Sequence, residues 1–76
     1  MDWREHIESK PGVLYGKPVI KNTRVPVDFL LEKLSEGETM EDLLKAYPRL
    51  KKEDVFAALA FAAEMIKSEV VHSLAS

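Results

Sequence analysis

The chain has 76 residues, a formal net charge of −2 and no cysteine, which describes one domain, residues 1–76, without a disulfide framework or thiolate metal site. No apolar run approaches the roughly 20 residues that span a bilayer, and Met1-Asp2-Trp3-Arg4-Glu5-His6 lacks the apolar core of a signal peptide, so a cytoplasmic protein with no membrane role is expected. The acidic total leaves any nucleic-acid binding to a local basic patch, and so short a chain points to oligomerisation as the supplement to a thin core.

Asp2 is placed to cap a short turn that carries Trp3 and Ile7 on one face. Trp3, the only tryptophan, reads as an anchor in the core or at a dimer interface. His6 stands among charged residues and is expected to face solvent. Pro11-Gly12 is a turn, followed by the apolar run Val13-Leu14-Tyr15. Val19 and Ile20 are β-branched and bounded by Gly16 and Asn22, so they read as a short strand. Pro18 lacks an N–H, so this strand starts late or lies at an edge. The two runs are expected to pair as a hairpin or across a dimer, since an isolated hairpin is marginal in water. Residues 1–25 thus form an N-terminal turn and hairpin, and residues 26–76 a helical bundle.

The first helix is predicted from Pro26, whose φ suits a first turn, to Glu36. Val27, Leu30, Leu31 and Leu34 give it an apolar stripe, and Gly37 suits the position after its end. Thr39 and Asp42 form a capping box for the second helix. Met40, Leu43, Leu44 and Tyr47 repeat the spacing, and Pro48 stops it. The third helix opens near Lys51, a poorer cap than Ser or Thr by roughly 1 kcal/mol. Leu50 can staple onto Val55, and Glu53 and Asp54 suit the positive end of the dipole. Val55, Leu59, Ala62, Ile66, Val70 and Leu74 form one stripe, with Leu59 expected at its buried centre. Phe61 and Met65 form another. From Val55 to Ile66 only Glu64 is charged, so this helix should be enclosed on more than one side, by a second copy or another partner. Trp3, Phe56, Phe61 and Met65 are the candidate interface residues.

The string Gly16-Lys17-Pro18-Val19-Ile20-Lys21-Asn22-Thr23-Arg24-Val25-Pro26-Val27 resembles the signature of domain-of-unknown-function family 433, small prokaryotic proteins often described as VapB-like antitoxins. Their pattern is Gly-x-Pro-x-Ile, two residues, then Thr-Arg-(Ile/Val)-Pro-Val. The match falls on Gly16, Pro18, Ile20, Thr23, Arg24, Val25, Pro26 and Val27, and continues through Gly37, Pro48 and the alanine-rich last helix. Asn22 stands where the family usually has Gly. Asn is the next best residue for a left-handed backbone, so Asn22 is expected there. The resemblance implies an antitoxin-like protein that neutralises a cognate toxin, such as a PIN-like nuclease, and binds its own promoter DNA.

No enzymatic constellation is legible. His6 and His72 lie near opposite termini, without the spacing of a metal pair. The serines lack a nucleophile-elbow context. Glu36, Glu38, Glu41 and Asp42 read as a solvated, cap-forming surface. Neither catalysis, a metal, a cofactor nor a small-molecule substrate is expected. The basic residues carry the stronger signal. Arg49, Lys51 and Lys52 open the second helix of a helix-turn-helix pair, where phosphate contacts are made; the alanines and phenylalanines beyond them cannot read bases. Lys10, Lys17, Lys21 and Arg24 form a second group. Lys17 and Lys21 are candidate DNA contacts, and Arg24 is read as bonding carbonyls at the strand-to-helix corner beside Asn22. The expected fold is mainly α, a homeodomain-like helix-turn-helix three-helix bundle with a short N-terminal β-hairpin, and its apolar surplus makes a homodimer the expected state. The competing function is a structural protein–protein interaction module that dimerises without touching DNA.

Overall fold

A computed structural model describes residues 1–68. Val70, His72 and Leu74 lie outside the described residues. Strands β1 (Ile7–Glu8) and β2 (Val19–Ile20) pair antiparallel, Ile7 opposite Ile20 and Glu8 opposite Val19. Helices α1 (Val27–Ser35), α2 (Met40–Ala46) and α3 (Lys52–Ser68) follow. The domain is therefore mainly helical with a short N-terminal antiparallel hairpin. α2, the turn after it and α3 form the helix-turn-helix pair. Among the described residues no helix is long and apolar enough to cross a membrane.

The strand-to-helix corner is closed by its own backbone. Ile20 N–H donates to Val25 O at 3.0 Å, Thr23 N–H to Ile20 O at 3.1 Å and Val27 N–H to Pro18 O at 2.9 Å. Asn22 has φ 64°, the left-handed conformation expected of it. Pro26 is the N-cap of α1 and not part of its first turn: its ψ is 146°, because Val19 bridges to it from the strand side.

The hairpin partner differs from the expected one. β2 pairs with Ile7–Glu8, not with Val13-Leu14-Tyr15. Leu14 and Tyr15 have φ 49° and 59°, and Gly16 N–H returns to Val13 O at 3.0 Å, so this run is a tight left-handed turn at Leu14–Gly16. Left-handed residues cannot extend a ladder. Tyr15 is fully exposed, whereas Ile7 is buried.

Helix ends follow the cap chemistry. At the end of α1, Gly37 has φ 97°. Gly37 N–H donates to Leu34 O and Glu38 N–H to Lys33 O, the paired bonds of a Schellman motif. At the start of α2, Thr39 Oγ1 accepts from Asp42 N–H at 3.1 Å, and Asp42 Oδ2 accepts from Thr39 N–H at 2.9 Å. These Thr39 bonds hold the Asp42 carboxyl below its ordinary value. For α3, Asp54 Oδ2 accepts from the Lys51 N–H at 3.0 Å, the half of a capping box that needs no acceptor on the Lys51 side chain.

Ile20, Val27, Leu30, Leu43, Ala57 and Ala58 are fully or almost fully buried. α3 packs on α1, α2, β1 and the N-terminal 3₁₀ turn Trp3–Glu5. Its inward face is Asp54, Ala57, Ala58 and Phe61, not the expected stripe through Leu59. Leu59 is 46% exposed and Ile66 64%. The two alanines let the helix approach its neighbours closely, and the longer side chains turn outward. Of the expected stripe, Val55 is buried.

In dilute protein, Leu43→Ala should destabilise by about 2–5 kcal/mol, while Leu59→Ala should change stability by no more than about 0.5 kcal/mol; urea unfolding of the two variants measures the contrast. Asn22→Gly should be neutral or stabilising, whereas Asn22→Val should cost about 1–2 kcal/mol, because a β-branched residue resists positive φ. Equal melting temperatures for the two Asn22 variants would show that the corner tolerates any residue.

Candidate nucleic-acid interface

Pro48 ends α2, and Leu50 N–H closes the following turn on Tyr47 O at 2.9 Å. That turn brings Arg49 to the corner, where Arg49 Nη1 donates to Asn22 O at 3.4 Å. Two adjoining cavities of about 590 Å³ each flank this contact. Both are lined by Asn22, Pro48 and Arg49. The first adds Lys10, Arg24 and Tyr47 together with the carboxylate Glu8. The second adds Lys21, Lys51 and His6 together with the carboxylates Glu5 and Asp54.

Residues from two basic groups far apart in sequence therefore converge. Among the described residues, Lys21, Arg24, Arg49 and Lys51 have no carboxylate within ion-pair distance, whereas Arg4, Lys10, Lys17 and Lys33 do. Lys17 leaves the group: its Nζ lies 3.1 Å from Asp28 Oδ2 on α1. Lys10 lines a cavity but is partnered by Glu8 at 3.8 Å. Lys52 is exposed at the start of α3 and lines neither cavity.

Arg24 does not bond the corner carbonyls. It is exposed, and the bonds expected of it are made by Thr23, whose Oγ1 donates to Ile20 O at 2.7 Å and accepts from Val25 N–H at 3.0 Å. A short hydroxyl reaches both ends of so tight a turn, and the guanidinium is left to the cavity.

His6 does not simply face solvent. Its Nδ1 lies 3.0 Å from Asp54 Oδ1, and Asp54 is only 8% exposed. An ionised carboxylate only accepts, so the ring nitrogen is the donor. Asp54 thus joins the N-terminal segment to the first turn of α3, and one carboxylate holds His6 and Lys51 together at the cavity wall. No hydroxyl is hydrogen-bonded to the His6 ring among the described residues. Nor do three His, Cys, Asp or Glu gather there to hold a metal ion.

The four interface candidates divide. Trp3 and Phe61 pack on each other, ring centroids 4.9 Å apart and edge to face. Arg4 lies over the Trp3 ring at 4.4 Å. This pair joins the N-terminal turn to α3 within one chain and is not a free surface. Phe56 and Met65 remain exposed.

Asp54→Ala should lower stability by about 1–3 kcal/mol, since it strips both the His6 ring and the Lys51 amide of their acceptor. His6→Ala should cost less, because Asp54 keeps its cap. Guanidinium melts of the two variants give the ranking.

Residues 7–62 match the model of a family described as protein of unknown function (DUF433). The uncharacterized protein y4eO of Sinorhizobium fredii (strain NBRC 101917 / NGR234) is 37% identical over 59 residues, covering 78% of this chain and 27% of that protein. A DUF433 member from Anabaena variabilis ATCC 29413, solved by crystallography at 2.00 Å, shares 35% identity and superposes with a TM-score of 0.75, covering 82% of this chain and 61% of that one. The chain thus spans about a quarter of the length of the curated relative it matches.

Proposed function

This chain belongs to the DUF433 family of proteins of unknown function, and from that membership and the cleft at Asn22 and Pro48 we propose that it is a homodimeric, antitoxin-like helix-turn-helix protein that contacts the phosphate backbone of DNA and engages a toxin partner. The observation that carries the reading is the convergence of Lys21, Arg24, Arg49 and Lys51, none of them in an ion pair, on the cleft that the two adjoining cavities make beside the helix-turn-helix turn, where basic residues outnumber the carboxylates Glu5, Glu8 and Asp54. In a chain of net charge −2, cations left unpaired together make a local positive field. Phosphate oxygens suit such a field, and contacts of this kind position a protein without reading sequence. Base reading from α3 is not part of the proposal, because its outward face beyond the first turn is carried by the apolar Phe56, Leu59, Ala63 and Ile66. The toxin, such as a PIN-like nuclease, is what the antitoxin resemblance implies.

The second reading is an interaction module that binds protein and no DNA. The exposed Phe56, Leu59 and Ile66 of α3 favour it.

Fluorescence anisotropy with the DNA upstream of the gene, over a salt series, separates the two. Removing a cation that touches one phosphate should reduce the magnitude of the salt slope by about 1. Lys51→Ala with Lys52→Ala should weaken binding across sequences with little change in melting temperature, and Lys21→Ala with Arg49→Ala should act likewise. Lys17→Ala should have the smallest effect. Absence of wild-type binding at low salt would leave the interaction module as the reading.

A further inference from the structure

The outward side of α3 has a regular geometry. Phe56, Leu59, Ala63 and Ile66 are all exposed. They follow one another at intervals of three, four and three residues, which is the seam of a coiled coil. On one flank of this seam stand Glu53, Ala60 and Lys67, spaced by seven residues. Glu64 is on the core side of that flank and is held within the chain by Arg4 at 3.0 Å.

We propose that the occupant of this face is the α3 helix of a second copy, lying antiparallel across a two-fold axis near Ala60. Size and charge both select that direction. Antiparallel pairing sets Phe56 against Ile66 of the other copy and Leu59 against its Ala63, so large residues meet smaller ones and the layers fill. The flank of one helix then meets the same flank of the other, which brings Glu53 to Lys67 twice, once at each end. The small Ala60 sits at the centre, where the backbones approach most closely. A parallel arrangement fails on both counts. It would place Lys52 against Lys52, Phe56 against Phe56 and Ala63 against Ala63, giving like charges, overpacking and a void along one seam.

Four seam residues per copy make a small interface, at the low end of the areas that hold stable complexes, so the dimer should dissociate in the micromolar range. The pairing rests on the homodimer proposed above but not on DNA contact, because the seam and the cleft use different residues.

Sedimentation velocity of the whole chain over about 10–500 µM tests it. The wild type should move from monomer to dimer in that range. Leu59→Glu should be monomeric throughout, with unchanged helicity by circular dichroism, because the residue is exposed in the monomer. Glu53→Lys alone and Lys67→Glu alone should each weaken the dimer by about tenfold or less, and the double variant Glu53→Lys with Lys67→Glu should regain most of that affinity. A wild type that stays monomeric at the top concentration overturns the pairing, as does a dimer that survives Leu59→Glu. A dimer abolished by Leu59→Glu but not rescued by the charge exchange overturns the antiparallel register. Anisotropy with the same variants keeps the two proposals apart: Leu59→Glu should still bind DNA, more weakly, while failure to bind DNA with the dimer intact counts only against the cleft.

Discussion

Ile20 is the pivot of the domain. Its side chain has no exposed surface, and its backbone is engaged on both sides. Its carbonyl accepts from both the amide and the hydroxyl of Thr23, and its amide donates to Val25 O. The next residue, Lys21, donates to His6 O at 2.8 Å and ties in the N-terminal segment. Strand, corner and helix start are therefore one hydrogen-bonded knot around one buried side chain. A domain this small has little core to compensate for a loose joint. The direction in which α1 leaves the sheet, and with it the place of every later element, follows from that joint.

The same joint makes the cleft. Because Asn22 adopts a left-handed turn, its carbonyl lies within reach of Arg49, and the α2–α3 turn rests against the corner. Cations that the sequence separates by more than twenty residues then become neighbours. Opposite charges elsewhere in the chain pair among themselves, so the net acidity of the protein does not neutralise the group. Surface ion pairs contribute little stability individually; here their distribution matters more, since it decides which positive charges stay available.

The sequence was legible where one side of an element was apolar and its ends carried cap residues. α1 and α2 meet both conditions, and the Thr39–Asp42 box and the Gly37 terminator stand as expected. α3 meets neither. It is apolar on two sides, so periodicity alone could not decide whether Leu59 or Ala58 turns inward, and close packing of the alanines settled it. The hairpin partner was equally open, because Ile7 and the run Val13-Leu14-Tyr15 are both apolar. The basic residues of the site were visible as types. Their meeting was not, nor was the division of labour between Thr23 and Arg24, since either can satisfy a carbonyl. The His6 contact was not legible either, because its partner, Asp54, lies 48 residues away and reads as a helix-start residue.

The contact between Trp3 and Phe61 has a spectroscopic consequence. The only indole of the chain sits where the N-terminal turn meets α3, beneath a guanidinium and against an aromatic edge. Its emission therefore reports the docking of that turn on that helix, while far-ultraviolet ellipticity reports helix content. Followed together through a denaturant titration, the two signals distinguish an N-terminal segment that peels away early from one that leaves with the rest of the fold.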